Sequence, residues 1–145
     1  MATRGQRGFT LVEMLIVMVV IGILATVAIP MYQLVPERSR ATEADAGLGA
    51  IRSAMRVYYG EHGTYANGSF VDGGAVTVGG ILSVSDTDLA GRYFSTECYT
   101  FDGAPGANTF TIECDGANST APYASEADGI VGTIDQDGQL THQWN

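Results

Sequence analysis

Residues 14–29 carry no charged side chain, and the apolar stretch that contains them, 9–31, is 23 residues long. About 20 such residues, coiled at roughly 1.5 Å per residue, cross the hydrocarbon core of a bilayer. A buried helix in a soluble core does not need that length. A secretory signal peptide is the second bland reading, with Thr26-Val27-Ala28 as its small-residue cleavage site. Cleavage there would leave Ile29-Pro30 as the new start, and the apolar stretch runs on into a helical pattern. The third reading is a plain single-span anchor. Ahead of the stretch lies a short, polar, basic segment, 1–8, with Arg4 and Arg7. Two arginines on that side hold it in the cytoplasm, so the rest of the chain faces outward.

Glu13 bears on all three readings, because it sits inside the apolar stretch. A carboxylate in a membrane span is costly unless compensated, and such residues usually mark function. A plain anchor gains nothing from it. The run Gly8-Phe9-Thr10-Leu11-Val12-Glu13 resembles the prepilin processing motif of type IV pilins and the related pseudopilins. The resemblance is most specific over the first twenty-odd residues from Gly8 and extends to about Tyr65. It implies that a membrane-bound prepilin peptidase cuts between Gly8 and Phe9 and N-methylates Phe9. It also implies that inner-membrane machinery assembles the subunits into a filament. The new Phe9 amine is cationic, so Glu13 of an incoming subunit can meet Phe9 of a neighbour. In apolar surroundings an unpaired carboxylate is strongly unfavourable and a paired one is tolerated. That pairing sets register more than it adds stability.

Beyond the stretch, Ala44, Leu48, Ile51, Met55 and Tyr58 recur at spacings of three and four, the period of an amphipathic helix. The pattern predicts one long helix over about 9–60, spanning roughly 75–80 Å. Gly22, Pro30 and Pro36 interrupt it, as kinks or as a break, with Pro36 the more natural break. Relatives in the pilin family carry Gly and Pro at positions matching Gly22 and Pro30, which implies a segment that melts in the filament. Gly60 and Gly63 then end the helix.

The rest reads as a small acidic head. There is no lysine, and from Val57 onward Arg92 stands alone against twelve Asp and Glu. Such a surface repels phosphate backbones, which argues against general nucleic-acid binding by the head. Residues 70–88, rich in Gly and Val, read as a loop with one or two weak strands, and the resemblance to pilins implies that this connecting region is surface-exposed. The segments 93–101 and 108–114 alternate apolar and polar residues about a strong turn signal at 102–107. A hairpin centred on Gly106 sets Cys98 opposite Cys114, each eight residues away. If the head is exported, a cross-strand disulfide follows, worth on the order of 3 kcal/mol. Two small buried thiols are the alternative.

The segments 129–134 and 139–144 form a second hairpin around Asp135-Gln136-Asp137-Gly138. The two aspartates do not have the spacing of an EF-hand loop, so a plain turn is favoured over a calcium site. Asn67 and Asn118 head short glycosylation-type motifs that arise readily by chance. His62 and His142 are far apart in sequence, and no nucleophile, phosphate loop or ligand cluster points to catalysis or to a cofactor.

The expected fold is α+β: a long N-terminal helix packed on a four-stranded antiparallel sheet. Its buried stripe of Leu48, Ile51 and Met55 should meet Phe94, Phe110, Ile112 and Ile134. The expected organisation is a leader (1–8), a membrane and filament-core helix (9–31), its amphipathic continuation (32–60) and a β-rich head (61–145). The expected function is that of a type IV pilus subunit. It sits in the inner membrane before assembly and then in an extracellular homopolymer. A type II secretion pseudopilin, with a calcium-stabilised head, and a single-span anchored binding domain are the alternatives.

Overall fold

The computed structural model describes residues 9–144, apart from the side chains of residues 32–35 and 78. One helix, α1, runs from Leu11 to His62, with Pro30 and Pro36 both inside it. Pro36 is therefore not a break. The helix stops two residues later than Gly60 predicts, at Gly63. There φ is +70°, and the amide donates to the Tyr59 carbonyl at 2.7 Å. A glycine takes that left-handed cap without the penalty a Cβ would bring.

The chain divides into two compact units between Pro36 and Glu37. In the first, residues 9–31 are exposed throughout except for half-buried Ala25. The second contains the sheet, in which β1 (Tyr99–Phe101), β2 (Thr111–Asp115), β3 (Ile130–Asp135) and β4 (Leu140–Trp144) follow one another as an antiparallel meander. This is the expected α+β pilin-like fold.

The core of the second unit forms as the helical stripe dictates. Leu48, Ile51 and Met55 are fully buried, together with Phe94, Phe110, Ile112 and Ile134. Two glycines let helix and sheet approach closely. A Cβ on Gly132 of β3 would lie 3.4 Å from Leu48, and one on Gly47 of α1 would lie 2.2 Å from the Tyr99 hydroxyl.

Residues 70–88 depart from the exposed loop expected of them. They contain a short helix, α2 (Asp86–Leu89), and one isolated bridge, Ala75 to Thr100. Phe70, Val76, Leu82 and Leu89 are all buried. Backbone bonds from this segment to Tyr99 and Phe101 cover the β1 edge of the sheet, which leaves β4 as the open edge.

The first hairpin is also shorter than predicted. Tyr99, not Cys98, pairs with Cys114. The strand begins only after a 3-10 turn at Thr96–Cys98, and that turn rotates Cys98 back into the core. The second hairpin matches expectation to within a residue at each end. Its turn is held by Asp135, whose Oδ1 accepts the amides of Asp137 and Gln139, each at 2.9 Å. Gly138 completes the turn at φ +87°.

Candidate functional site

The N-terminal end of α1 gathers most of the residues singled out in the sequence. Gly8 lies outside the described residues. Phe9 is 79% exposed and precedes the helix. Thr10 caps the helix, and Glu13 stands in its first turn. The Thr10 hydroxyl accepts the Glu13 amide at 3.2 Å. In return, Glu13 Oε2 accepts the Thr10 amide and the Thr10 hydroxyl, both at 2.8 Å. This reciprocal capping box satisfies two backbone donors that a helix start otherwise leaves open. Sequence reasoning missed Thr10, although the Thr-x-x-Glu spacing ahead of an apolar run was its signal. Only one carboxylate oxygen takes part in the box, and among the described residues Oε1 has no hydrogen-bond donor.

The next turns of α1 present apolar surface on every side. The most apolar 18-residue window has a mean hydropathy of 2.7, and none of it is buried. Sixteen large apolar side chains between Phe9 and Met31 are between 45% and 81% exposed. Covering them is worth on the order of tens of kcal/mol, so lipid or other protein has to do so. The one charge on this surface is Glu13. Gly22 and Pro30 both lie within the helix. A Cβ added at Gly22 would meet nothing within 4 Å, so no contact inside the chain requires a glycine there.

A second cluster fastens the lower part of the head to α1. Glu43 Oε1 accepts the amides of Tyr93 and Phe94 at 2.8 and 2.9 Å, and Gly91 leaves room for that carboxylate. Arg40 pairs with Glu126 at 2.6 Å. No periodicity or motif marks Glu43, because its partners are loop amides fifty residues away.

Cys98 and Cys114 are free thiols, both fully buried, and they interact with one another. The neighbouring Cys114 holds the Cys98 thiol well below the ordinary thiol range, so Cys98 is the first of the pair to ionise. The bond between the two thiols and burial push Cys114 up. Burial likewise pushes up the Tyr99 hydroxyl beside them.

Known proteins resemble this chain over α1 and beyond it. A family model described as the prokaryotic N-terminal methylation motif matches residues 3–29. Fimbrial protein Q of Moraxella bovis is 31% identical over 86% of this chain and 83% of its own length. The chain belongs to the type IV pilin family. Fimbrial protein EcpC of Eikenella corrodens is 33% identical over 77% of this pilin and 65% of its own length. A type IV major pilin protein PilE1 of Neisseria gonorrhoeae is 33% identical over 78% and 47% respectively. The pilin thus spans about half to two thirds of the length of these last two relatives.

Proposed function

We propose that this pilin is the structural subunit of a type IV pilus, made as a precursor and polymerised through its N-terminal helix into a surface filament. The observation that carries the reading is the bare apolar face of α1 with Glu13 as its single charge. In this reading residues 1–8 are a leader removed between Gly8 and Phe9 by prepilin peptidase, which then methylates Phe9. Residues 9–31 lie in the inner membrane before assembly and in the filament core afterwards. Residues 32–60 continue the helix, and residues 61–145 form the exposed head.

Cleavage turns the Phe9 nitrogen from an uncharged amide into a cationic amine. Glu13 of an incoming subunit then has a partner for its second oxygen, while Oε2 keeps the Thr10 bonds. A charge-assisted bond in a water-poor filament core is short, strong and directional. It therefore fixes the axial position of each subunit. The bonds α1 makes between Gly22 and Pro30 are the ones given up if the helix extends in the filament, because Pro30 has no amide to donate.

Export into an oxidising compartment would join Cys98 to Cys114, with two protons and two electrons passing to the compartment's thiol oxidants. The head's place is outside the core, where its charge keeps filaments soluble. The relatives this chain resembles carry the names of fimbrial proteins and of a type IV major pilin, so the pilus reading is preferred.

The test is a pair of substitutions, Glu13→Leu and Glu13→Gln. Both variants are expected to insert and to be cleaved, with filament yield lost in Glu13→Leu and reduced in Glu13→Gln. Wild-type filament yield from Glu13→Leu would remove Glu13 from the assembly step.

A further inference from the structure

At one end of the sheet Ile130 pairs with Trp144. Directly opposed residues of an antiparallel pair point to the same face. That face is the one covered by α1, and Ile130 is 3% exposed there, yet Trp144 is 47% exposed. The indole is thus left partly uncovered. Beside it opens a cavity of about 350 Å³ whose walls include Glu37 and Arg40 of α1, Glu126, Asp128, Ile130 and Trp144 itself. His142 stacks on the indole at 5.6 Å and 18°, and is itself held by Asp45 at 2.7 Å. The aromatic wall is therefore braced.

The charges in this cavity do not cancel. Arg40 is turned to Glu126: its guanidinium bonds both the carboxylate and the carbonyl of that residue, at 2.6 and 3.1 Å, and lies 5.6 Å over the Tyr93 ring. Glu37 and Asp128 make no ion pair among the described residues. The cavity thus combines a braced aromatic wall with two carboxylates, Glu37 and Asp128, that no ion pair among the described residues neutralises. Anions are repelled, and a neutral apolar guest would strip water from the acids without replacing it. A hard divalent ion wants six or more oxygen ligands, which Trp144 and Ile130 do not supply. An alkyl stem ending in a cation suits this lining, because its methylenes lie along the indole and its charge meets the Glu37 and Asp128 carboxylates.

We propose that this cavity is a binding site for an alkyl cation, best a guanidinium, presented either as the arginine or lysine side chain of a partner protein or as a free polyamine. A guanidinium fork suits carboxylates better than a point charge does.

Trp144 is the sole tryptophan, so its fluorescence reports occupancy directly. The full chain in detergent is titrated with N-acetyl-argininamide and with spermidine. N-acetyl-glycinamide, sodium chloride and calcium chloride at matched ionic strength serve as controls. A saturable change with the organic cations and none with the controls is expected. Tighter binding of the argininamide assigns the site to a protein side chain, and tighter binding of spermidine to a free polyamine. Glu37→Gln and Asp128→Asn are each expected to weaken half-saturation about two- to five-fold, and added salt to weaken it further. Glu37 is half-buried and Asp128 exposed, so neither change threatens the fold, and unchanged near-ultraviolet circular dichroism checks that. A response no different from sodium or calcium chloride, or one that persists unchanged in the Glu37→Gln/Asp128→Asn double variant, would overturn the proposal.

Discussion

Gly47 and Gly49 sit two residues apart in the same helix, and the structure assigns their alanine variants opposite signs. A glycine inside a helix costs about 1 kcal/mol relative to alanine, so propensity alone makes both substitutions stabilising. At Gly49 an added Cβ meets nothing within 4 Å, and the full gain should appear. At Gly47 the same atom would lie 2.2, 2.5 and 2.8 Å from the hydroxyl oxygen, Cζ and Cε1 of Tyr99. Tyr99 is 1% exposed, so the ring has nowhere to go and the helix must shift instead. Overpacking of that kind costs about 1–3 kcal/mol, more where backbone moves. Net of propensity, Gly47→Ala should lose about 1–2 kcal/mol. With about 4–8 °C per kcal/mol in a domain of this size class, its melting temperature falls by roughly 4–16 °C, while that of Gly49→Ala rises by about 4–8 °C. Near-ultraviolet circular dichroism of the full chain in detergent reads the head's unfolding. Tyr99→Phe in the Gly47→Ala background should restore little, because Cζ remains in the way. Shifts of the same sign for the two glycines would refute the close approach of α1 to β1.

Other outcomes follow from single contacts. Glu43→Ala removes the acceptor for two loop amides, and the head should lose about 2–3 kcal/mol in denaturant unfolding, with Glu43→Gln losing less. Glu113 is held above the ordinary carboxylate range by burial, then by Asp102 and Asp115. A carboxyl raised in the folded state weakens folding above that raised value and ceases to matter below the unfolded one. Glu113→Gln should therefore raise the melting temperature at pH 7, and the gain should vanish as the pH falls below about 4. In periplasmically exported protein, reduction by dithiothreitol should lower head stability by about 3 kcal/mol, and Cys114→Ser should abolish that response.

The N-terminal half was legible because its chemistry is local. An uncharged stretch of membrane length, a lone acid and two arginines ahead of them in the chain need no tertiary context to be read. The helical stripe of Leu48, Ile51 and Met55 was legible for the same reason, since its period survives any packing partner. What the sequence hid depends on distant partners. The 3-10 turn at Thr96–Cys98 carries no strong punctuation, so alternation alone set Cys98, instead of Tyr99, against Cys114. The buried side chains of residues 70–89 are separated by glycines and show neither period, because the core they fill is built by other elements. Nothing local distinguishes Glu43 from a solvated helix acid, because the two amides it accepts lie fifty residues away. Thr10 was in plain view, but attention to Glu13 as an assembly residue obscured its role as half of a capping box.

The claim beneath this account is that α1 is released at Gly8 and buried among copies of itself. The most direct measurement is the mass of the N-terminal peptide from filaments sheared off cells. The account predicts a peptide that begins at Phe9 and carries one methyl group on its amine. Filaments whose subunits still begin at Met1, or a cleaved chain found only as dispersed monomer in the membrane, would contradict it.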